Sequence, residues 1–119
     1  MSKLVKVLCC GDRNWLNKIS ILKVMRKRMP KLVIEGGAPG ADTLAGQCAE
    51  ELGIAHCTFH ANWGYYHKAA GPIRNQWMLN FITPDEVWAF HSDLERSKGT
   101  ADMVARAKKA NIPVRIFKD

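Results

Sequence analysis

The stretch Lys31-Leu32-Val33-Ile34-Glu35-Gly36-Gly37-Ala38-Pro39-Gly40-Ala41-Asp42 decides the fold. Its first five residues, largely apolar, read as a buried strand. The glycines and Pro39 then break regular structure. Beyond them Leu44, Ala45, Cys48, Ala49 and Leu52 recur at helical spacing, and Gly53 stops the helix. Strand, tight connection and helix make half of a βαβ unit. The same alternation continues in both directions. On the N-terminal side, Leu4 to Cys9 is apolar apart from Lys6, and Gly11-Asp12-Arg13-Asn14 is turn chemistry. A helix runs from an Asn17 cap to Met29, with Leu16 stapled to Ile21. Its stripe is Ile21, Leu22, Met25 and Met29, and Pro30 ends it. On the C-terminal side, Ile54 to Phe59 is a strand and His60 to about Gly71 a long loop. Pro72 lies in the first turn of a helix whose apolar face is Ile73, Trp77, Met78 and Phe81. Glu86 to Phe90 is a strand and His91 to Gly99 a polar loop. Thr100 to Ala110 is a helix buried through Met103, Val104 and Ala107, and Val114 to Phe117 closes the pattern.

Five strands alternating with four helices predict an α/β fold. It is a Rossmann-like, three-layer open parallel sheet flanked by helices, ordered 3-2-1-4-5, with residues 1–119 forming a single domain. In such sheets ligands bind beyond the carboxyl ends of the strands, at the switch point between the first and fourth. The unusual loops all leave strand carboxyl ends, so their chemistry is expected to converge on one crevice.

Composition narrows the partners. No apolar run approaches the roughly 20 residues a membrane helix needs, and the N-terminal stretch lacks the form of a signal peptide, so a cytoplasmic location without membrane association is expected. Cys9, Cys10, Cys48 and Cys57 follow neither disulfide nor zinc spacing and read as reduced, packed thiols. Cys57 and His60 lack a second pair, so neither a metal nor a cofactor is expected. His56, His67 and His91 read as surface or hydrogen-bonding residues. The net charge of +7 favours an anionic partner. Much of it lies on the Lys18–Lys31 helix, which reads mainly as a solvated face.

Four loops carry candidate chemistry. In the second, Gly36, Gly37, Ala38, Gly40, Ala41 and Asp42 present a glycine-rich entry to a helix, where free N–H groups favour an anion. The bland alternative is a tight turn with Asp42 as a cap; Asp42 is also suited to hold a ribose hydroxyl. In the third, Ala70-Gly71-Pro72-Ile73-Arg74-Asn75 places Arg74 in a first helical turn, opposed by the helix dipole unless an anion binds there; an internally paired or exposed Arg74 is the alternative. Lys68 lies just before it. Ser97-Lys98-Gly99-Thr100 is either a phosphate or sugar cradle or a hydroxyl cap with a turn glycine. After the first strand, Gly11, Asp12, Arg13 and Trp15 flank the switch point, and Trp15 is suited either to stack on a base or to fill the core. Trp63, Tyr65 and Tyr66 offer further stacking surfaces, some of which must be buried.

Gly11-Asp12-Arg13-Asn14-Trp15, Gly36-Gly37-Ala38-Pro39-Gly40-Ala41-Asp42, Ala69-Ala70-Gly71-Pro72-Ile73-Arg74-Asn75 and Ser97-Lys98-Gly99-Thr100-Ala101-Asp102-Met103 occur in the order seen in YspA-like proteins. The chain thus resembles the YpsA-related branch of the SLOG superfamily along nearly its whole length. The Gly36–Asp42 loop is also similar to the glycine-rich loop of the DNA-processing protein DprA. The resemblance implies a nucleotide-binding Rossmann-like domain, in some members an enzyme and in others a sensor, and often self-associating. The LOG phosphoribohydrolases carry a PGGxGTxxE motif whose glutamate is catalytic; here the matching positions hold Leu44 and Met103. Asp12, Glu35, Asp42 and Asp102 are the acids left to stand in, and none is placed by the motif. Three readings follow: a module that binds a nucleotide-derived small molecule, a nucleoside-monophosphate hydrolase, and, ranked last, a DprA-like nucleic-acid binder.

Overall fold

A computed structural model describes residues 5–119; Leu4, the expected first strand residue, lies outside them. Five parallel strands form one sheet in the order β3-β2-β1-β4-β5. They are β1 (Lys6–Gly11), β2 (Leu32–Glu35), β3 (Ala55–Thr58), β4 (Glu86–Phe90) and β5 (Val114–Phe117). Between them run α1 (Lys18–Arg28), α2 (Ala41–Glu51), a four-residue α3 (Trp63–Tyr66), α4 (Ala70–Ile82) and α5 (Gly99–Lys109). The α/β Rossmann-like class and the strand order are as the sequence predicts.

The pleat sends alternate residues to opposite faces. Val7, Cys9, Val33, Trp88 and Phe90 meet Ile21 and Met25 of α1 and Ala45, Cys48 and Ala49 of α2. Leu8, Cys10, Ile34, Val87 and Ala89 meet Met78 and Leu79 of α4 and Met103, Val104 and Ala107 of α5. Both layers are closed almost wholly by apolar side chains, the Trp88 indole N–H donating to Glu86 (2.9 Å), which is why the central strands read as continuous apolar runs. All four thiols are free; Cys9, Cys10 and Cys48 are buried and Cys57 is half-buried. Burial pushes the Cys9 thiol well up, so it is an inert packing group. No helix of the described residues is long and apolar enough to cross a membrane.

Three local expectations are corrected. Met29 does not extend the α1 stripe: it caps the helix in a left-handed conformation (φ 40°) and is half-exposed, because Pro30 forbids another helical residue before it. The connection from His60 is not one irregular loop. Asn62 caps the short α3 with its side chain, a single turn of 3-10 helix (His67–Ala69) follows, and α4 begins at Ala70. Finally, α4 does not bury Ile73, Trp77 and Phe81. Its buried face is Gly71, Asn75, Met78 and Leu79, while Trp77 is 38% and Phe81 72% exposed. This rotation sets Met78 and Leu79 against the sheet and α5 and brings Asn75 within hydrogen-bond reach of Asp102.

Candidate functional site

The sheet brings the four loops together at its carboxyl edge. The Asp12 N–H donates to the Phe90 carbonyl (2.9 Å), so the loop after β1 leaves beside the end of β4, at the switch point. Its carbonyl accepts the Ala41 N–H at the start of α2 (3.0 Å). These backbones approach so closely that side chains are excluded. A Cβ on Gly40 (φ 77°) would overlap the Asp12 carbonyl and Arg13 backbone, and one on Gly11 would sit 2.8 Å from Ala41 Cβ and overlap the Phe90 carbonyl. The glycines at 11 and 40 are therefore accounted for by loop packing.

The glycine-rich turn is closed on itself. Asp42 Oδ2 accepts the N–H groups of Gly36 (3.0 Å) and Ala38 (3.4 Å), and Glu35 Oε1 accepts that of Gly37. The expected anion cradle is thus corrected: the amides at 36, 37 and 38 are aimed at two carboxylates, and a phosphate there would meet like charge. Both acids are nearly inaccessible, Asp42 at 5% and Glu35 at 2%. Burial pushes the Asp42 carboxyl up to about 6, against the opposing pull of the Ala38 and Gly36 amides and the Arg74 charge.

Arg74 reaches across from α4. Its Nη1 donates to the Gly36 carbonyl and its Nε to Asn75 Oδ1 (3.0 Å), both neutral acceptors; no hydrogen bond to the described residues uses Nη2. It falls in the second turn of α4, not the first, because α4 begins at Ala70. The helix dipole has largely decayed there, so it supplies little of the conflict expected from the sequence. Asn75 continues the chain of contacts, its Nδ2 donating to Asp102 Oδ2 (3.0 Å) and Gly99 O (3.4 Å). Asp102 also accepts from Arg106 Nε (2.9 Å). These bonds make Asp102 a tie between α4 and α5.

The remaining candidates divide. Ser97 Oγ accepts the N–H groups of Thr100 (2.9 Å) and Ala101 (3.3 Å), so it caps α5, and Thr100 is buried. Asp12 Oδ1 accepts the Asn14 N–H (2.8 Å) in a turn of its own. Trp15 is 4% exposed, packs edge-on to Phe90 (5.8 Å) and donates from its indole to Asn17 O; it is core, with no face left for a base. Arg13, Lys68, Lys98 and Gly99 are exposed.

Sequence reasoning missed one cluster. Glu35 Oε2 accepts His56 Nε2 (2.6 Å) and the Thr58 hydroxyl (2.7 Å). β2–β3 pairing sets Glu35 opposite Thr58 and Val33 opposite His56, so all share the α2 face. The i, i+2 spacing of His56 and Thr58 was visible; the register that brings Glu35 to them was not. Among the described residues no group of three or more His, Cys, Asp or Glu side chains is arranged to hold a metal ion.

A parallel sheet with this strand order, and four loops packed at the carboxyl edge beside the switch point, defines a Rossmann-like α/β protein. The chain belongs to the YspA, cpYpsA-related SLOG family, whose profile matches residues 5–66. It is 32% identical over 124 residues to the "Gene 61 protein" of Mycobacterium phage D29, covering 96% of this chain and 97% of that protein. Its fold is similar to DNA processing protein A (DprA) from Streptococcus pneumoniae, with a TM-score of 0.75 and 18% identity over 96% of this chain; the match spans half of the DprA chain.

Proposed function

We propose that the chain, acting as one SLOG domain, binds a nucleotide-derived small molecule at the carboxyl edge of the sheet, as a sensor or sequestering module. The observation that carries this is Arg74. Its guanidinium sits over the glycine-rich turn on neutral acceptors, with Nη2 making no protein hydrogen bond among the described residues. A cation fixed there in fork geometry is suited to phosphate. Exposed Arg13 approaches the same turn from the β1 side, where its backbone meets Gly40. In this reading the phosphate contacts Arg74 and Arg13, with Lys68 and Lys98 contributing field, and not the carboxylate-filled amides of Gly36–Ala38. Calorimetric titration with nucleoside monophosphates, ADP-ribose and cyclic dinucleotides tests it. One class is expected to bind, and Arg74→Ala to weaken it by about tenfold or more, the value of a lost charge-assisted hydrogen bond. Absence of binding by every class, or an unchanged affinity in Arg74→Ala, overturns it.

A second reading, hydrolysis of a nucleoside monophosphate at its N-glycosidic bond, is favoured by one observation: Asp42 has a carboxyl raised to about 6, in the range useful for general acid–base work. Release of free base from AMP or CMP, lost in Asp42→Asn, supports it. Intact nucleotide after prolonged incubation at high protein concentration counts against it.

A further inference from the structure

We propose that the outward face of α4, with α3 beside it, binds single-stranded nucleic acid by stacking bases on exposed aromatic rings. Six of the ten aromatic residues lie between Phe59 and Phe81. Four of them are held out to solvent: Tyr65 at 73%, Phe81 at 72%, Trp63 at 58% and Trp77 at 38%. Packing does not require this, since α4 already buries its opposite face against the sheet and α5. Tyr65, Tyr66 and Trp77 form a ladder of edge-to-face contacts with centroids 4.7 and 5.9 Å apart, which fixes ring positions along the surface. Such a platform stacks any base.

Charge selects the partner. From Leu52 to Pro84 there is no Asp or Glu. Beside Trp77 a groove of about 340 Å³ is bordered by Arg106, and Lys68 and Lys109 are exposed on the adjoining elements. Asp102 pairs with Arg106 (2.9 Å), so those two charges offset each other, and exposed Lys68 and Lys109 supply the net positive charge of the face. Two copies meeting through this face would set the same cations against each other, because a two-fold contact pairs a patch with itself. A polyanion with exposed π-faces satisfies both the rings and the cations.

The test is fluorescence anisotropy of a dye-labelled thymidine oligonucleotide of about 12 residues, in single- and double-stranded form, at low and moderate salt. The single strand is expected to bind more tightly than the duplex and to weaken with salt. Tyr65→Ala and Phe81→Ala, whose side chains are mostly exposed, are each expected to weaken it by about fivefold or more while leaving the melting temperature unchanged. Arg74→Ala is expected to retain this binding, which separates it from the strand-end site. Flat anisotropy at low salt, equal binding of the duplex, or unchanged affinity in a variant combining Tyr65→Ala with Phe81→Ala overturns the proposal. So does sedimentation showing a dimer that Phe81→Ala dissolves while the oligonucleotide stays free, which assigns the face to a second copy.

Discussion

Gly46 of α2 lies directly over His56 of β3. A Cβ at position 46 would stand 2.7 Å from both Cε1 and Nε2 of the imidazole and 3.3 Å from Glu35 Oε2. The missing side chain is what lets the ring lie under the helix and reach the buried carboxylate. Gly46→Ala gains up to about 1 kcal/mol of helix propensity and incurs about 1–3 kcal/mol of overpacking, so net destabilisation is expected. Adding His56→Ala removes the obstacle. Urea unfolding of the two single variants and the double variant should show a favourable coupling of about 1 kcal/mol or more. Simple additivity would mean that the contact does not govern the choice of glycine.

Asp42 sets a pH dependence of definite sign. Its carboxyl titrates near 3.8 when unfolded and at about 6 when folded. Between those values the folded chain holds a proton that the unfolded chain has released, so stability falls as pH rises from about 4 to about 6. The full effect at neutral pH is at most about 3 kcal/mol. Asp42→Asn keeps an acceptor for the Gly36 and Ala38 amides but lacks the titration. Relative to wild type it should therefore be more stable at about pH 7.5 than at about pH 4.5. Denaturant midpoints at the two pH values check this, and a stability difference independent of pH would contradict it.

The glycines at 40 and 99 are predicted to behave oppositely. Gly40 has φ 77° and its Cβ would overlap backbone atoms of Asp12 and Arg13, which cannot swing aside as a side chain can. Gly40→Ala should cost about 3 kcal/mol or more and lower the yield of folded protein. A Cβ on Gly99 meets nothing within 4 Å, and the residue opens α5. Gly99→Ala should change stability by no more than about 1 kcal/mol, in the favourable direction. Thermal melts of the pair decide; equal losses would mean the Gly40 contact is relieved by loop movement.

Trp15→Phe separates core from ligand contact. The change removes the indole donor to Asn17 O and part of the packing on Phe90. Destabilisation of about 1–2 kcal/mol is expected, with affinity for whatever nucleotide binds unchanged. A loss of affinity at full stability would return Trp15 to the binding surface.

Asn75→Ala removes a 4%-exposed amide that joins Arg74 to Asp102 and Gly99. It leaves partners unsatisfied and should cost about 2–3 kcal/mol. Loss of amide-exchange protection in α5 at the same time would show that the tie orients that helix; protection unchanged throughout α5 would refute the tie.

The sequence by itself determined the α/β class, the five strands and their order. The reason is that apolar runs, helical periodicity and right-handed crossovers leave few arrangements for a chain in which each strand is followed by a helix. It also placed the four loops at one edge, because strands of a parallel sheet all end on the same side. Several features were decided only in three dimensions. Whether Trp15 stacks on a base or fills the core depended on Phe90, 75 residues away in sequence. Whether Gly36–Ala38 offers its amides to a ligand depended on Glu35 and Asp42 turning their carboxylates inward. The rotation of α4, which hides Asn75 and exposes Trp77 and Phe81, depended on Met78 and Leu79 being the apolar residues that meet the sheet and α5. Hydrophobicity along the chain marks which segments are buried; contacts made in three dimensions decide which face of each is turned inward, and where the partners lie far apart in sequence no local pattern records them.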